Sequence, residues 1–139
     1  MAKVVAVGLD GSEPSWKALK EAAWLARHHG AELLVISIQE SIEPSYSASE
    51  MLAAEKTARN VLEAVQAEAQ LLAETQGVRV ATCILTGNPT TGLAECIKQN
   101  SVDLLVIGDK GHSSIWGALL GTTAEKVVRL APCSVLVVR

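Results

Sequence analysis

Strand-like segments that are apolar on consecutive residues constrain this chain most. Val4-Val5-Ala6-Val7 and Leu104-Leu105-Val106-Ile107 put hydrophobic side chains on both faces of an extended backbone. Such a strand must be covered on both sides, as in a parallel sheet layered between helices. Runs rich in Val, Ile and Leu recur at Lys3 to Leu9, Glu32 to Ile38, Val78 to Leu85, Asp103 to Gly108 and Ser134 to Val138, with the length and composition of strands. Pro14 to His29, Ser49 to Gln76, Thr90 to Gln99 and Thr122 to Leu130 lie between them with helical period. The alternation predicts an α/β fold, an open, doubly wound, five-stranded parallel sheet with helices on both faces. In the long second helix Met51, Ala54, Ala58, Val61, Val65, Ala69 and Leu72 form one apolar stripe expected to face the sheet, and Glu55, Lys56, Arg59, Glu63 and Glu68 mark the solvated side.

With 139 residues, 49% of them hydrophobic, the chain suits a single domain over 1–139. A net charge of -3 gives no broad positive field, which argues against nucleic acid as a partner. No apolar run approaches the roughly 20 residues that span a bilayer. The start, Met1-Ala2-Lys3-Val4-Val5, runs into a strand without a cleavage site, so no membrane association and a cytoplasmic location are expected. Cys83, Cys96 and Cys133 are odd in number, widely spaced and without a C-x-x-C pair. They read as reduced thiols rather than a disulfide framework or zinc site. The segment from Gln39 to Ala48, with Pro44 and several serines, is a long loop that suits a functional flap or a disordered connection equally.

In sheets of this type ligands sit beyond the carboxyl ends of the strands, where the winding direction reverses. If the first three strands grow outward one way and the last two the other, the reversal lies between the first and fourth. Their carboxyl ends read Gly8-Leu9-Asp10-Gly11-Ser12 and Gly108-Asp109-Lys110-Gly111, so topology and glycine content select the same place. From Gly108 the spacing is glycine, two residues, Gly111, nine residues, Gly121, then Thr122 and Thr123. Glycines let backbone N–H groups approach an anion and allow positive φ. A helix opening at Thr122 offers free N–H groups and a positive dipole end to phosphate. The same residues also fit a purely structural role: Gly108 ending a strand, Gly111 making a turn, and Thr122 with Glu125 forming a T-x-x-E capping box.

The spacing resembles the G-2x-G-9x-G-[S/T] signature of the ATP-binding branch of the universal stress protein family. The likeness extends to the opening Val-Gly-Leu-Asp10-Gly-Ser, the strand Leu33-Leu34-Val35-Ile36-Ser37-Ile38 and the close Ala131-Pro132-Cys133-Ser134-Val135-Leu136-Val137-Val138. It implies strand order 3-2-1-4-5, adenine near the ends of the first two strands and phosphates on the glycine loop. Leu9 and Asp10 would then stand at the nucleoside end, with Asp10 hydrogen-bonded to it, and Ile38 would lie against adenine. Gly108, Gly111, Gly121, Thr122 and Thr123 would hold ribose and phosphates. The implied ligand is ATP, or AMP or ADP in its place, with Mg2+ or Mn2+. Two departures stand out. Asp109 and Lys110 replace the Ser-His or Ser-Arg usual between the first glycines; Lys110 would attract phosphate, while Asp109 is expected to face solvent or help hold a phosphate-bound cation. Ser37 stands where many relatives carry histidine.

Asp-Gly-Ser is also a common strand-to-helix turn, with Ser12 available as cap and Pro14 in the first helical turn. His28 and His29 precede Gly30 at a helix end and read as structural. His112 has no evident partner for catalysis, and Trp116, in the middle of the glycine loop, could cover a ligand or a partner surface. Trp16 and Trp24 read as packing residues of one helix. An ATP pyrophosphatase or adenylyl transferase on the same architecture is a rival reading, but no S-G-G-x-D-S or H-x-G-H is present and Gly117 to Thr122 lacks the lysine of a Walker loop. A nucleotide-free interaction module is the other. The apolar last strand, at a sheet edge in the implied order, is expected to pair with a second copy through Val135, Leu136, Val137 and Val138.

Overall fold

Among the residues that the computed structural model describes, 2–40, 47–110 and 121–139, five strands and four helices alternate. They are β1 (Val4–Gly8), α1 (Glu13–His29), β2 (Glu32–Gln39), α2 (Ala48–Thr75), β3 (Val80–Thr86), α3 (Pro89–Gln99), β4 (Leu104–Gly108), α4 (Thr122–Leu130) and β5 (Ser134–Val138). The strands are all parallel in the order β3-β2-β1-β4-β5, as the sequence predicts. β1 is paired with β2 on one side and with β4 on the other, Val5 opposite Leu104 and Val7 opposite Val106. The winding therefore reverses between β1 and β4.

The consecutive apolar residues divide between two cores. Val5, Val7, Leu33, Val35 and Val106 pack with Ala18, Leu19, Ala22, Ala23 and Ala26 of α1 and Ala69 and Ala73 of α2. Ala6, Leu34, Ile36, Leu105 and Ile107 pack with Leu93 and Ile97 of α3 and Ala124 and Val127 of α4. The alanine-rich face of α1 brings this helix close to the sheet, and burial of Leu19 alone contributes about 2 kcal/mol. Gly30 stops α1 in a left-handed conformation at φ 64°, with Ala31 N donating to Ala26 O at 2.8 Å. His28 Nδ1 lies 2.9 Å from Trp24 O, and Ala2 N donates to His29 Nδ1, so both histidines are structural.

Two packing expectations are corrected. Of the predicted α2 stripe Val65, Ala69 and Leu72 pack against the core, whereas Val61 is 56% exposed and the fully buried line of α2 runs through Leu62, Gln66, Ala69 and Ala73. A polar residue holds the central place because the Gln66 amide donates to Cys83 O at 2.7 Å and to Val35 O at 3.5 Å, a demand that hydrophobic periodicity does not register. Trp16 packs against the core, but Trp24 is 54% exposed and stacks on the His28 ring at 3.9 Å. Eight residues at 3.6 per turn leave the two tryptophans about 80° apart around the helix.

Asp103, just before β4, accepts from Lys3 N at 2.7 Å and Val4 N at 2.9 Å. These amides hold its carboxyl below the usual carboxylate range. A depressed folded value contributes stability above the unfolded pKa of about 3.9 that is lost as pH falls through the folded value. Asp103→Ala is therefore expected to flatten the acid limb of stability, measured by urea midpoints from about pH 5 downward. A parent and variant that lose stability in parallel would contradict this.

Candidate functional site

The rim between β1 and β4 is built by three short connections. After β1, Leu9 N donates to Ile36 O at 2.9 Å, and the Leu9 side chain is buried in the core of α1, so only its backbone faces the rim. Asp10 then folds over Gly11, whose φ of 86° is left-handed and admits a side chain only under strain. Asp10 Oδ1 accepts from Ser12 N at 2.9 Å and Ser12 Oγ at 2.5 Å, while Ser12 Oγ caps α1 by accepting from Ser15 N. The Asp-Gly-Ser turn is thus a preorganised structure with the half-buried Asp10 at its head.

After β4, Gly108 packs against the start of α1. A Cβ placed on it would come within 2.8 Å of Pro14 C, O and Cβ. Gly108 ends β4, as the sequence suggests, and its glycine is not needed for positive φ, since among the described residues the positive-φ glycines are Gly11, Gly30, Gly77 and Gly87. Gly108 is required by the close approach of a helix. Asp109 N donates to Val138 O at 3.0 Å, and Asp109 O accepts from Gly121 N at 2.7 Å. This second bond closes the neck of the loop that Asp109 and Gly121 bracket. It sets the start of α4 beside the end of β4.

At that start Gly121 is the N-cap, with φ -62° and ψ 154° and no side-chain hydrogen bond to the helix. The alternative T-x-x-E capping box needs Thr122 at the N-cap, a place that Gly121 occupies instead. Thr122 is already the first helical residue, and Glu125 pairs with Arg129 at 3.0 Å. The opening N–H groups of Thr122, Thr123 and Ala124 have no intrahelical carbonyl.

Leu9, Asp10, Gly108, Lys110, Gly121, Thr122 and Thr123 are thus gathered on one rim by β1, β4 and α4. Lys110 is half-buried and Thr123 exposed. Gly111, His112 and Trp116 lie outside the described residues. Ile38, the residue before the last of β2, lies near the same rim, but its side chain packs toward α3, with Cδ1 2.9 Å from where a Cβ on Gly92 would stand. Sequence reasoning missed two supports. Ser37 is 1% exposed, and its Oγ donates to Leu9 O at 2.6 Å, tying β2 to the segment that carries Asp10. Val138 O holds Asp109. A buried serine inside an apolar strand is the signal that pointed to the first.

A doubly wound parallel sheet of this kind is an open α/β architecture, whose members that bind ligands hold them at the reversal point. The family model described as the universal stress protein family matches residues 1–139. A universal stress protein of Thermus aquaticus, named for its place in the QAH/OAS sulfhydrylase 3' region, is 32% identical, with 100% of both chains covered. The universal stress protein YxiE of Bacillus subtilis is 30% identical over 96% of each chain. Among solved structures, a universal stress protein in complex with cAMP superposes with TM-score 0.78 at 28% identity, covering 99% of this chain and 97% of that one. The chain belongs to the universal stress protein family.

Proposed function

We propose that this protein binds an adenine nucleotide, ATP or else AMP or ADP, on the rim between β1 and β4, and that it acts as a nucleotide-dependent regulator in the stress response. The observation that carries the reading is the hydrogen bond from Gly121 N to Asp109 O. It brings the uncapped start of α4 against the carboxyl end of β4, beside the Asp10 turn. Free amides at a helix N-terminus favour phosphate, and Lys110 adds positive charge to the same loop. The cAMP-bound relative supports the adenine part of the assignment. Among the described residues no three His, Cys, Asp or Glu side chains gather as a metal site. A Mg2+ or Mn2+ ion would arrive on the phosphates, with Asp109 as the nearest carboxylate in sequence.

Asp10 separates recognition from turn formation. Asp10→Asn keeps an oxygen for the Ser12 contacts and removes the charge. It is expected to leave the melting temperature near the parent's and to weaken ATP binding by roughly tenfold, the effect of about 1.4 kcal/mol lost from a hydrogen bond to an ionised acceptor. Unchanged affinity in calorimetry would confine Asp10 to the turn. In the regulatory reading, ATP hydrolysis takes minutes or longer per turnover; several turnovers per second would favour an enzyme. No helix among the described residues is long and apolar enough to cross a membrane.

The working form is proposed to be a homodimer through β5, an edge strand in which Val135, Val137 and Val138 are half-buried and Leu136 is 37% exposed. Val138 O accepts from Asp109 N of the chain's own sheet. Alternation along the strand therefore turns the Val137 amide to the open side. Val137→Pro removes that donor with the β4 ladder intact. Sedimentation is expected to show a dimeric parent and a mostly monomeric variant, and a monomeric parent at micromolar concentration would contradict the dimer.

A further inference from the structure

Cys83 lies in β3 and Cys96 in α3. Both side chains belong to the core formed with Ile36, Leu93 and Ile97, where Cys96 is 3% exposed and Cys83 half-buried. Strand alternation puts Cys83 and Leu85 on the face covered by α3, which is where Cys96 points inward. One helical turn further on, Asn100 fixes the Cys96 end of the contact, its Nδ2 donating to Cys96 O at 2.9 Å and to Sγ at 3.4 Å. Cys133 precedes β5, at the opposite edge of the sheet with β2, β1 and β4 between, and its thiol donates to Ser134 O.

We propose that Cys83 and Cys96 are an oxidation site, a dithiol that closes to an intramolecular disulfide on reaction with a hydroperoxide. The Cys83 sulfur, the more exposed of the two, attacks one peroxide oxygen as its thiolate. The O–O bond breaks, and the departing hydroxide (from hydrogen peroxide) or alkoxide (from an organic hydroperoxide) takes up a proton to leave as water or alcohol. Cys83 becomes a sulfenic acid. The Cys96 sulfur then attacks the Cys83 sulfur, the S–O bond breaks, and the hydroxyl leaves as water with the Cys96 proton. Two thiols are oxidised by two electrons and one peroxide is reduced. Burial pushes the Cys96 thiol up to about 11, and the neighbouring Cys83 adds to this by charge and by a thiol–thiol hydrogen bond. Cys96, 3% exposed, is reached by peroxide less readily than the half-buried Cys83, which assigns it the resolving role. Both side chains turn into the same core cluster from facing elements, the placement from which a disulfide can close. The bridge would pin the edge strand β3 to α3, and the inference is independent of nucleotide binding.

The test is hydrogen peroxide treatment of the full chain, followed by alkylation under denaturing conditions and peptide mass spectrometry. Cys83 and Cys96 are expected to lose reactivity together and to appear as one linked peptide pair, with Cys133 still alkylated and a thiol reductant restoring all three. The melting temperature of the oxidised protein should rise by about 5–10 °C. In Cys96→Ser, Cys83 should stop at a sulfenic acid that a cyclic dione traps. In Cys83→Ser, Cys96 should react at least tenfold more slowly than in the parent. Persistence of both thiols in the parent, oxidation of Cys83 past the sulfenic acid with Cys96 still alkylatable, or linkage between chains instead of within one would each overturn the proposal.

Discussion

Gly108→Ala is expected to destabilise the protein by about 2–3 kcal/mol, a fall of about 6–10 °C in melting temperature for a domain of this size. The added Cβ would stand 2.8 Å from the Pro14 carbonyl carbon, its oxygen and its ring Cβ. Two of these are main-chain atoms of the first turn of α1, so no rotamer change relieves the contact. Either α1 moves off β4 or β4 moves down. Both displace the Asp10 turn relative to the end of β4, so nucleotide affinity should fall with stability. Gly8→Ala is the control, since a Cβ there meets Ile107 Cγ2 at 3.6 Å and Leu93 at 3.9 Å, ordinary contact distances, and its effect is expected to stay within about 1 kcal/mol. Thermal melts of the two variants side by side decide the matter. Equal melting temperatures would remove the close-approach explanation of Gly108.

Gly121→Val is expected to have the opposite profile, a stable protein that binds ATP about thirtyfold more weakly or worse, equivalent to ~2 kcal/mol. At φ -62° and ψ 154° the backbone is in the extended region that any residue adopts, so valine introduces no conformational strain. No cap is lost either, because Gly121 contributes no side-chain hydrogen bond to α4. What changes is the space at the first amides of α4, those of Thr122, Thr123 and Ala124, where the added methyl groups would stand in the way of a phosphate. Calorimetric titration of a variant with the parent's melting temperature separates binding from folding. Parental affinity in that variant would remove α4 from the phosphate site.

Much of this architecture is legible in the sequence because it is carried by local pattern. Consecutive apolar residues in β1 and β4 announce burial on two faces, and Gly30 and Ser12 mark the ends of α1. Boundaries shift where the chain makes non-helical hydrogen bonds. β3 begins at Val80 rather than Val78, since Val78 N still donates to Ala73 O in the turn that ends α2. α2 begins at Ala48 because Ser47 accepts from Glu50 N. The least legible features are contacts between residues far apart in the chain. Nothing local to Gly108 names Pro14 as its neighbour, and Ser37 reads as a departure from a pattern until its hydroxyl is found on Leu9 O. Gln66 looks like an interruption of an apolar stripe until the carbonyls it serves are identified. Thr122 shows the converse failure: a good local capping motif is displaced by one residue because Gly121, tied to Asp109, takes the cap position.

The most direct measurement of the central claim is backbone amide chemical-shift mapping by NMR during titration with ATP and Mg2+. Large changes are expected at Leu9 to Ser12, at Gly108 to Lys110 and at Gly121 to Ala124, saturating together. The opposite end of the sheet, where Arg27, Gly30, Gly77 and Arg79 surround a shallow cavity of about 300 Å³, should remain unperturbed. Saturable changes concentrated at that opposite end, or none at millimolar ATP, would contradict the assignment of the β1–β4 rim as the nucleotide site.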